Sequence, residues 1–250
     1  MSQKIRQEQI LHILEKRRYV TVRYLCDTLH YSSATINRDL NAMQRVDLVK
    51  RSYGGVELVE KSHHLPPLPQ RQIYMKKEKR RLACAAAELI ENGDTVFLDG
   101  STTVQHIIPF LADKKELTVI TNNMRLAIEL GELDINVICL GGRIIERPHV
   151  LYSDETVENA MRYCVDKAFF SVAGVTEDGR IKDTAHYLLY KLMMKNSKAT
   201  YFLTDKTKLV ESVDQVLCDF SLLTGVIADF DFSEETKALY PDVKFMVAKE

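Results

Sequence analysis

From residue 93 onward the 250-residue chain repeats one pattern: a short apolar run, a polar or glycine-containing loop, then a stretch of helical periodicity. The runs fall at 95–98, 117–120, 135–140, 168–172 and 201–203, and the helical stretches at 104–112, 123–131, 154–164 and 184–196. Runs this short and this continuously apolar predict strands covered on both faces, as in a parallel sheet, with the intervening helices as the cover. The expected fold is a doubly wound α/β domain. Such folds take their ligands outside the carboxyl ends of the strands.

The polar residues collect at those ends. Asp99, Gly100, Ser101, Thr102 and Thr103 follow the first run. A small hydroxyl-rich loop leading into a helix offers backbone N–H groups and hydroxyls to an anion such as phosphate, although this one has no lysine of the Walker kind. Asn122 and Asn123 follow the second run, and Gly141, Gly142 and Arg143 the third. Gly174 comes after the fourth, and Asp205 and Lys208 after the fifth. Each loop alone has a plainer reading, in which Asn122 or Asp205 caps a helix and Gly141-Gly142 turns the chain. Together at one sheet edge they favour a polar ligand with negative charge.

The first part of the chain has a different grammar. Ile10, Leu11, Ile13 and Leu14 form one face of a helix, and Thr21 caps a second helix marked by Val22, Leu25, Cys26 and Leu29. After a turn at 30–32, Ile36, Leu40 and Met43 define a third. Its other face carries Ser33, Thr35, Asn37, Arg38, Asn41 and Arg45, with Ser32 at its start, all able to bond bases or phosphates from the major groove. Two short runs, 48–52 and 56–59, flank Tyr53, Gly54 and Gly55 and predict a hairpin wing bearing Lys50, Arg51 and Tyr53. An isolated basic hairpin is more often only solvated.

Charge separates the two parts. Residues 1–81 hold 17 basic and 8 acidic side chains, a net +9, whereas 82–250 hold 17 and 27, a net −10. A basic head on an acidic body suits a polyanion partner. Prolines concentrate in 60–74, predicting a linker between a head at 1–59 and a second domain at 75–250. The basic cluster at 76–81 reads as the solvated first turn of a helix ended by Gly93. No apolar run approaches the roughly 20 residues that span a bilayer, and the start of the chain lacks a secretory pattern, so cytoplasm is expected. The five cysteines are scattered, never in Cys-x-x-Cys spacing and each in an apolar segment, predicting reduced, buried thiols and neither metal nor cofactor.

Arg6-Gln7 with the Ile-Leu pairs that follow, the stretch from Ser33 through Thr35-Ile36-Asn37-Arg38-Asp39-Leu40, and Tyr53-Gly54-Gly55-Val56 resemble the DNA-binding domain of DeoR-family regulators. Asn37 stands where that family usually has an arginine. From about residue 71 to 250 the loops resemble the family's effector domain, similar in fold to ribose-5-phosphate isomerases, glucosamine-6-phosphate deaminases and CoA transferases. The resemblance implies a mostly parallel sheet, a double-stranded DNA operator, a phosphorylated sugar as effector and a homo-oligomer, dimer or tetramer. It further implies that Ser101, Thr102 and Thr103 hold the phosphate, that Lys208 pairs with it or with a ligand hydroxyl, and that Asp99 and Asp205 bond sugar hydroxyls. Thr184, His186 and Tyr187 stand where an acidic pair is common, and His186 is expected at the surface. The competing reading is a phosphosugar isomerase or deaminase, which needs a general base over the sugar carbons that the sequence does not display. A winged helix turned to protein binding is a third, disfavoured by the polar face around Arg38 and Arg45.

Overall fold

The computed structural model describes residues 3–17, 19–45, 48–52, 54–58, 74–146, 149–184 and 186–249. It divides the chain into two compact units, Met1–Lys76 and Lys77–Glu250. The expected linker at 60–74 lies, apart from Tyr74, outside the described residues, and so does Tyr53.

The first unit contains α1 (Gln3–Arg17), β1 (Tyr19–Thr21), α2 (Val22–Leu29), α3 (Ser33–Gln44), β2 (Val49–Ser52) and β3 (Gly55–Leu58). Thr21 Oγ1 accepts from Tyr24 N at the start of α2, and Ser32 Oγ accepts from Thr35 N at the start of α3. His30, at φ 57°, closes α2 in the left-handed region and turns the chain toward α3. Ile10, Leu14, Leu25, Ile36, Leu40, Met43 and Val56 are completely buried in one core. The tripeptide β1 joins the hairpin to give the antiparallel order β1-β3-β2, and it is too short to register as a strand in the sequence. It also narrows the turn: Gly55 pairs with both Thr21 and Ser52, and a side chain there would strike the Tyr19 ring. Of the two glycines, Gly54, at φ 74°, has the positive φ.

The second unit is built on a seven-stranded sheet in which every pairing is parallel. Its strands are β4 (Thr95–Leu98), β5 (Thr118–Thr121), β6 (Asn136–Cys139), β9 (Val165–Phe170), β11 (Ser197–Thr204), β13 (Gly225–Ala228) and β14 (Lys244–Val247), in the spatial order β14-β13-β11-β9-β4-β5-β6. Between them lie two antiparallel pairs, β7 (Ile144–Glu146) with β8 (Val150–Leu151) and β10 (Arg180–Lys182) with β12 (Val216–Asp219). Alternate strand residues feed two cores. Val96, Leu98, Phe169 and Leu203 pack with α4 (Lys76–Glu88) and α5 (Met124–Gly131). Phe97, Phe170, Phe202 and Val226 pack with α6 (Asp154–Ala160) and α7 (Tyr187–Lys195). A last short helix, α8 (Glu234–Leu239), precedes β14.

Several expectations need correction. The stretch at 104–112 is a 3-10 helix, Val104–Phe110, containing Pro109, which has no N–H for an α-helical bond. β13 and β14 had no helical stretch of α-helical length to announce them, only four apolar or mixed residues each. Of the cysteines, Cys218 is buried, with its thiol pushed up to about 12 by burial, but Cys139 and Cys164 are exposed because their segments end at a strand edge and in a loop. Lys79 is buried rather than solvated, since α4 packs that face on the sheet domain.

Candidate functional site: a charged switch point and a DNA-reading face

The chain order through the sheet locates the site. From β4 it proceeds outward through β5 and β6, then returns to the centre as β9 beside β4 and proceeds the other way through β11, β13 and β14. The direction reverses between β4 and β9. Their carboxyl ends lead into separate loops, and this is the kind of switch point at which such folds bind ligands.

Asp99 leaves β4 at this point, fully buried, and ties the two halves together. Its Oδ1 accepts from Ser101 N at 3.0 Å, and its Oδ2 accepts from Ser171 N, just past β9, and from the Tyr190 hydroxyl on α7, both at 2.9 Å. Burial pushes the Asp99 carboxyl up, against those same bonds, which favour the charged form. Asp99 is thus saturated by the protein, which differs from a carboxylate held ready for sugar hydroxyls. Ser101 Oγ accepts from Val104 N at 3.1 Å, capping the 3-10 helix. Thr102 and Thr103 are buried behind it.

Lys208 crosses to the same place from the loop after β11. Its Nζ donates to Thr103 Oγ1 at 3.0 Å and Ser171 Oγ at 2.5 Å, and lies 3.6 Å from Asp205 Oδ2. Asp205 also accepts from Thr207 N at 3.1 Å. Burial works against the Asp205 carboxylate, but the charges of Lys208 and Lys79 and the Thr207 bonds outweigh it and hold the carboxyl below its ordinary range.

Asn122 is completely buried after β5; its Nδ2 donates to Leu151 O at 2.9 Å, while its Oδ1 has no partner. Gly100 lies against it: a side chain there would come within 2.9 Å of Val150 and 3.4 Å of that same Oδ1. Asn123 is an α5 cap, its Oδ1 accepting from Arg125 N and Leu126 N at 3.0 and 3.2 Å. Gly141 and Gly142 both have positive φ, and a side chain at Gly142 would meet Thr156 Oγ1 at 2.1 Å, so this pair turns the chain under α6. Arg143 beside them is exposed. Gly174 accepts from Lys182 N within the β10 side of the domain. The structure therefore joins Asp99, Gly100, Ser101, Thr103, Asn122, Asp205 and Lys208, and gives Asn123, Gly141, Gly142 and Gly174 identifiable backbone work.

Sequence reading missed Ser171 and Tyr190. Ser171 sits inside an apolar run, and Tyr190 reads as part of a helix's apolar stripe; neither carries a local signal. His186 is another correction: it is 6% exposed, with its ring 5.2 Å from that of Tyr152 and 5.7 Å from that of Tyr190, because this N-cap of α7 packs its ring against those two. Tyr190→Phe removes one bond to a buried carboxylate and lowers stability by about 1–2 kcal/mol. Urea unfolding reads this, and an unchanged midpoint would remove Tyr190 from the network that supports Asp99.

On the first unit, Ser33, Arg38, Asn41 and Arg45 lie exposed along α3, with Lys50 exposed on β2. Ser32 and Thr35 are joined through their hydroxyls at 2.9 Å. Asp39 is buried and takes two bonds from Arg6, at 2.7 and 3.1 Å, so its role is structural. Asn37 and Arg51 face each other: Arg51 Nη2 donates to Asn37 Oδ1 at 2.7 Å.

A winged helix with an exposed polar recognition face, followed by a separate parallel α/β unit, defines the class of helix-turn-helix transcription regulators with a sensor domain. The chain belongs to the DeoR family: the DeoR-like helix-turn-helix domain matches residues 6–62 and the DeoR C terminal sensor domain matches 75–230. It is 32% identical over 207 residues to YulB of Bacillus subtilis (strain 168), an uncharacterized HTH-type transcriptional regulator, covering 81% of this chain and 80% of that one. It is also 32% identical to the HTH-type transcriptional repressor GlcR of the same organism, covering 84% and 81%. The glycerol-3-phosphate regulon repressor of Escherichia coli (strain K12) is 26% identical, covering 92% of each. Among solved structures, a ribose-5-phosphate isomerase in complex with phospho-erythronic acid matches 54% of this chain and 55% of its own at 16% identity and a TM-score of 0.41. The chain is a DNA-binding transcription regulator, and the isomerase or deaminase reading is set aside.

Proposed function

We propose that this regulator represses genes of carbohydrate metabolism and is released from DNA by a phosphorylated sugar bound where β4 meets β9. Residues 1–59 hold the operator, 60–74 link, and 75–250 sense the effector and form a dimer or tetramer. The observation that carries this reading is Lys208, whose ammonium donates to the hydroxyls of Thr103 and Ser171 and lies beside the Asp205 carboxylate, next to a hydroxyl-rich loop. Among the described residues, the backbone N–H groups of Gly100, Thr102 and Thr103 donate no hydrogen bond. A phosphate is the small group that uses such donors together with a lysine. An open depression of about 510 Å³ lies at the other, amino end of β6, but Asp134 is its one charged lining residue, and it offers an anion nothing.

The relatives named as a glycerol-3-phosphate regulon repressor and as the transcriptional repressor GlcR support the assignment to metabolic control. No helix among the described residues is long and apolar enough to cross a membrane, and a regulator of this kind works beside the DNA in the cytoplasm. Two copies would place α3 on half-sites about one DNA turn apart, near 34 Å, or a multiple. Release requires the ligand to prefer the arrangement that fits DNA less well. The test is fluorescence anisotropy of the full-length protein on an enriched operator duplex, with sugar phosphates titrated against their unphosphorylated parents and inorganic phosphate. Release by phosphorylated sugars alone is expected; equal potency of the parent sugars, or no response to any of them, overturns the reading.

A further inference from the structure

Asn37 lies midway along the exposed side of α3, where an outward-pointing amide would bond an adenine edge with one donor and one acceptor. The structure turns both inward. Asn37 Nδ2 donates to Ser33 O at 2.8 Å and to Ser33 Oγ at 3.1 Å, which occupies both of its hydrogens. Asn37 Oδ1 takes the Arg51 guanidinium at 2.7 Å, and the Asn37 backbone carbonyl takes the same Nη2 at 3.4 Å.

The consequence falls on Arg51. Both Nη2 hydrogens are engaged, and Nε is buried with no hydrogen-bond partner. A guanidinium reads guanine through a two-pronged edge, and each edge of this one that includes Nη2 is already occupied. Nη1 is left. Among the described residues no carboxylate is paired with Arg51, in contrast to Arg6, whose charge is met by Asp39. Among the described residues this half-buried cation has no counter-charge, and a single anionic oxygen at Nη1 supplies one while Nε stays buried.

We propose that Asn37 is a positioning residue that pins the Arg51 guanidinium against α3, and that Arg51 Nη1 meets the DNA at a phosphate oxygen. The cation at this point of the recognition face then comes from the wing strand rather than from the helix. This rests on the DNA-binding role of the first unit, and it assigns Asn37 no part in base discrimination.

The experiment is a double-mutant cycle on the full-length protein, using a duplex enriched from a random-sequence library by the wild-type chain, its single-base variants and a range of salt concentrations. Asn37→Ala and Arg51→Ala should each weaken binding by roughly tenfold, and the double variant by no more than the worse single one. Both single variants should lower the slope of log affinity against log salt by about one, and weaken all single-base variants by the same factor. A merely structural substitution would leave that slope unchanged. Additive losses, an unchanged slope, or loss of discrimination at one base pair in Asn37→Ala overturn the proposal while leaving DNA binding intact. Failure of the wild-type chain to enrich any duplex overturns the DNA-binding role itself, and the proposal with it.

Discussion

Lys208→Met abolishes the response to phosphorylated sugars while operator binding in their absence stays within about twofold of wild type. The ammonium is the one side-chain cation that reaches Thr103 and Ser171 together in the described contacts, so no neighbour replaces it. Methionine keeps the length and the apolar stem, and removes the charge and its donors. Loss of a charge-assisted contact to phosphate weakens effector affinity roughly a hundredfold. The unit stays folded because Asp205 retains the bonds from Thr207 and the charge of Lys79. Its pH dependence shifts too. Asp205 is held below its ordinary range in the folded chain, so its contribution to stability is present above that range and is lost as pH falls through it toward the depressed folded value. Removing Lys208 shrinks that contribution. Calorimetric titration with a responsive sugar phosphate measures the affinity, and wild-type affinity in the variant would place the phosphate elsewhere.

Arg6→Met lowers the melting temperature of the first unit by roughly 10 °C or more. Asp39 is 0% exposed and its two bonds to Arg6 join the first helix to the third. Without the guanidinium, a carboxylate remains in the core of α1 and α3 with no counter-charge. Asp39→Ala costs less, because the freed Arg6 side chain, 14% exposed and resting on the Tyr31 ring, can turn to water. The double variant should melt above Arg6→Met alone. Equal losses in the two single variants, measured by calorimetry, would show that the bond geometry matters and the buried charge does not.

The fold was legible where periodicity was strong. The three amphipathic helices of the head and the five apolar runs correspond to α1, α2 and α3 and to β4, β5, β6, β9 and β11, because burial on one face or both leaves a pattern in the sequence. β1 and the paired β10 and β12 left none: three or four residues each, they are held by partners far along the chain. The site followed the same division. Asp99, Gly100, Ser101, Asn122 and Lys208 announced themselves as polar residues at strand ends. Ser171 and Tyr190 did not, since their importance comes from Asp99, 72 and 91 positions away. His186, the N-cap of α7, was misjudged because its ring packs toward Tyr152 and Tyr190, an arrangement with no local signal. Asn37 reads as a polar member of the third helix and Arg51 as part of the hairpin, and their bond to each other depends on how the hairpin lies on α3.

The seam between β4 and β9 also governs the order in which the protein comes into being. Thr95 N bonds Asp166 Oδ2 across it, 71 positions away, and Asp99 cannot reach Ser171 until the seam is closed. Parallel pairing over such a span is slow, whereas three helices packed through near neighbours close quickly and leave the ribosome first. The head is therefore expected to finish before that seam closes. A chain caught part way through synthesis would thus present its DNA-reading face before the sheet of the second unit is complete.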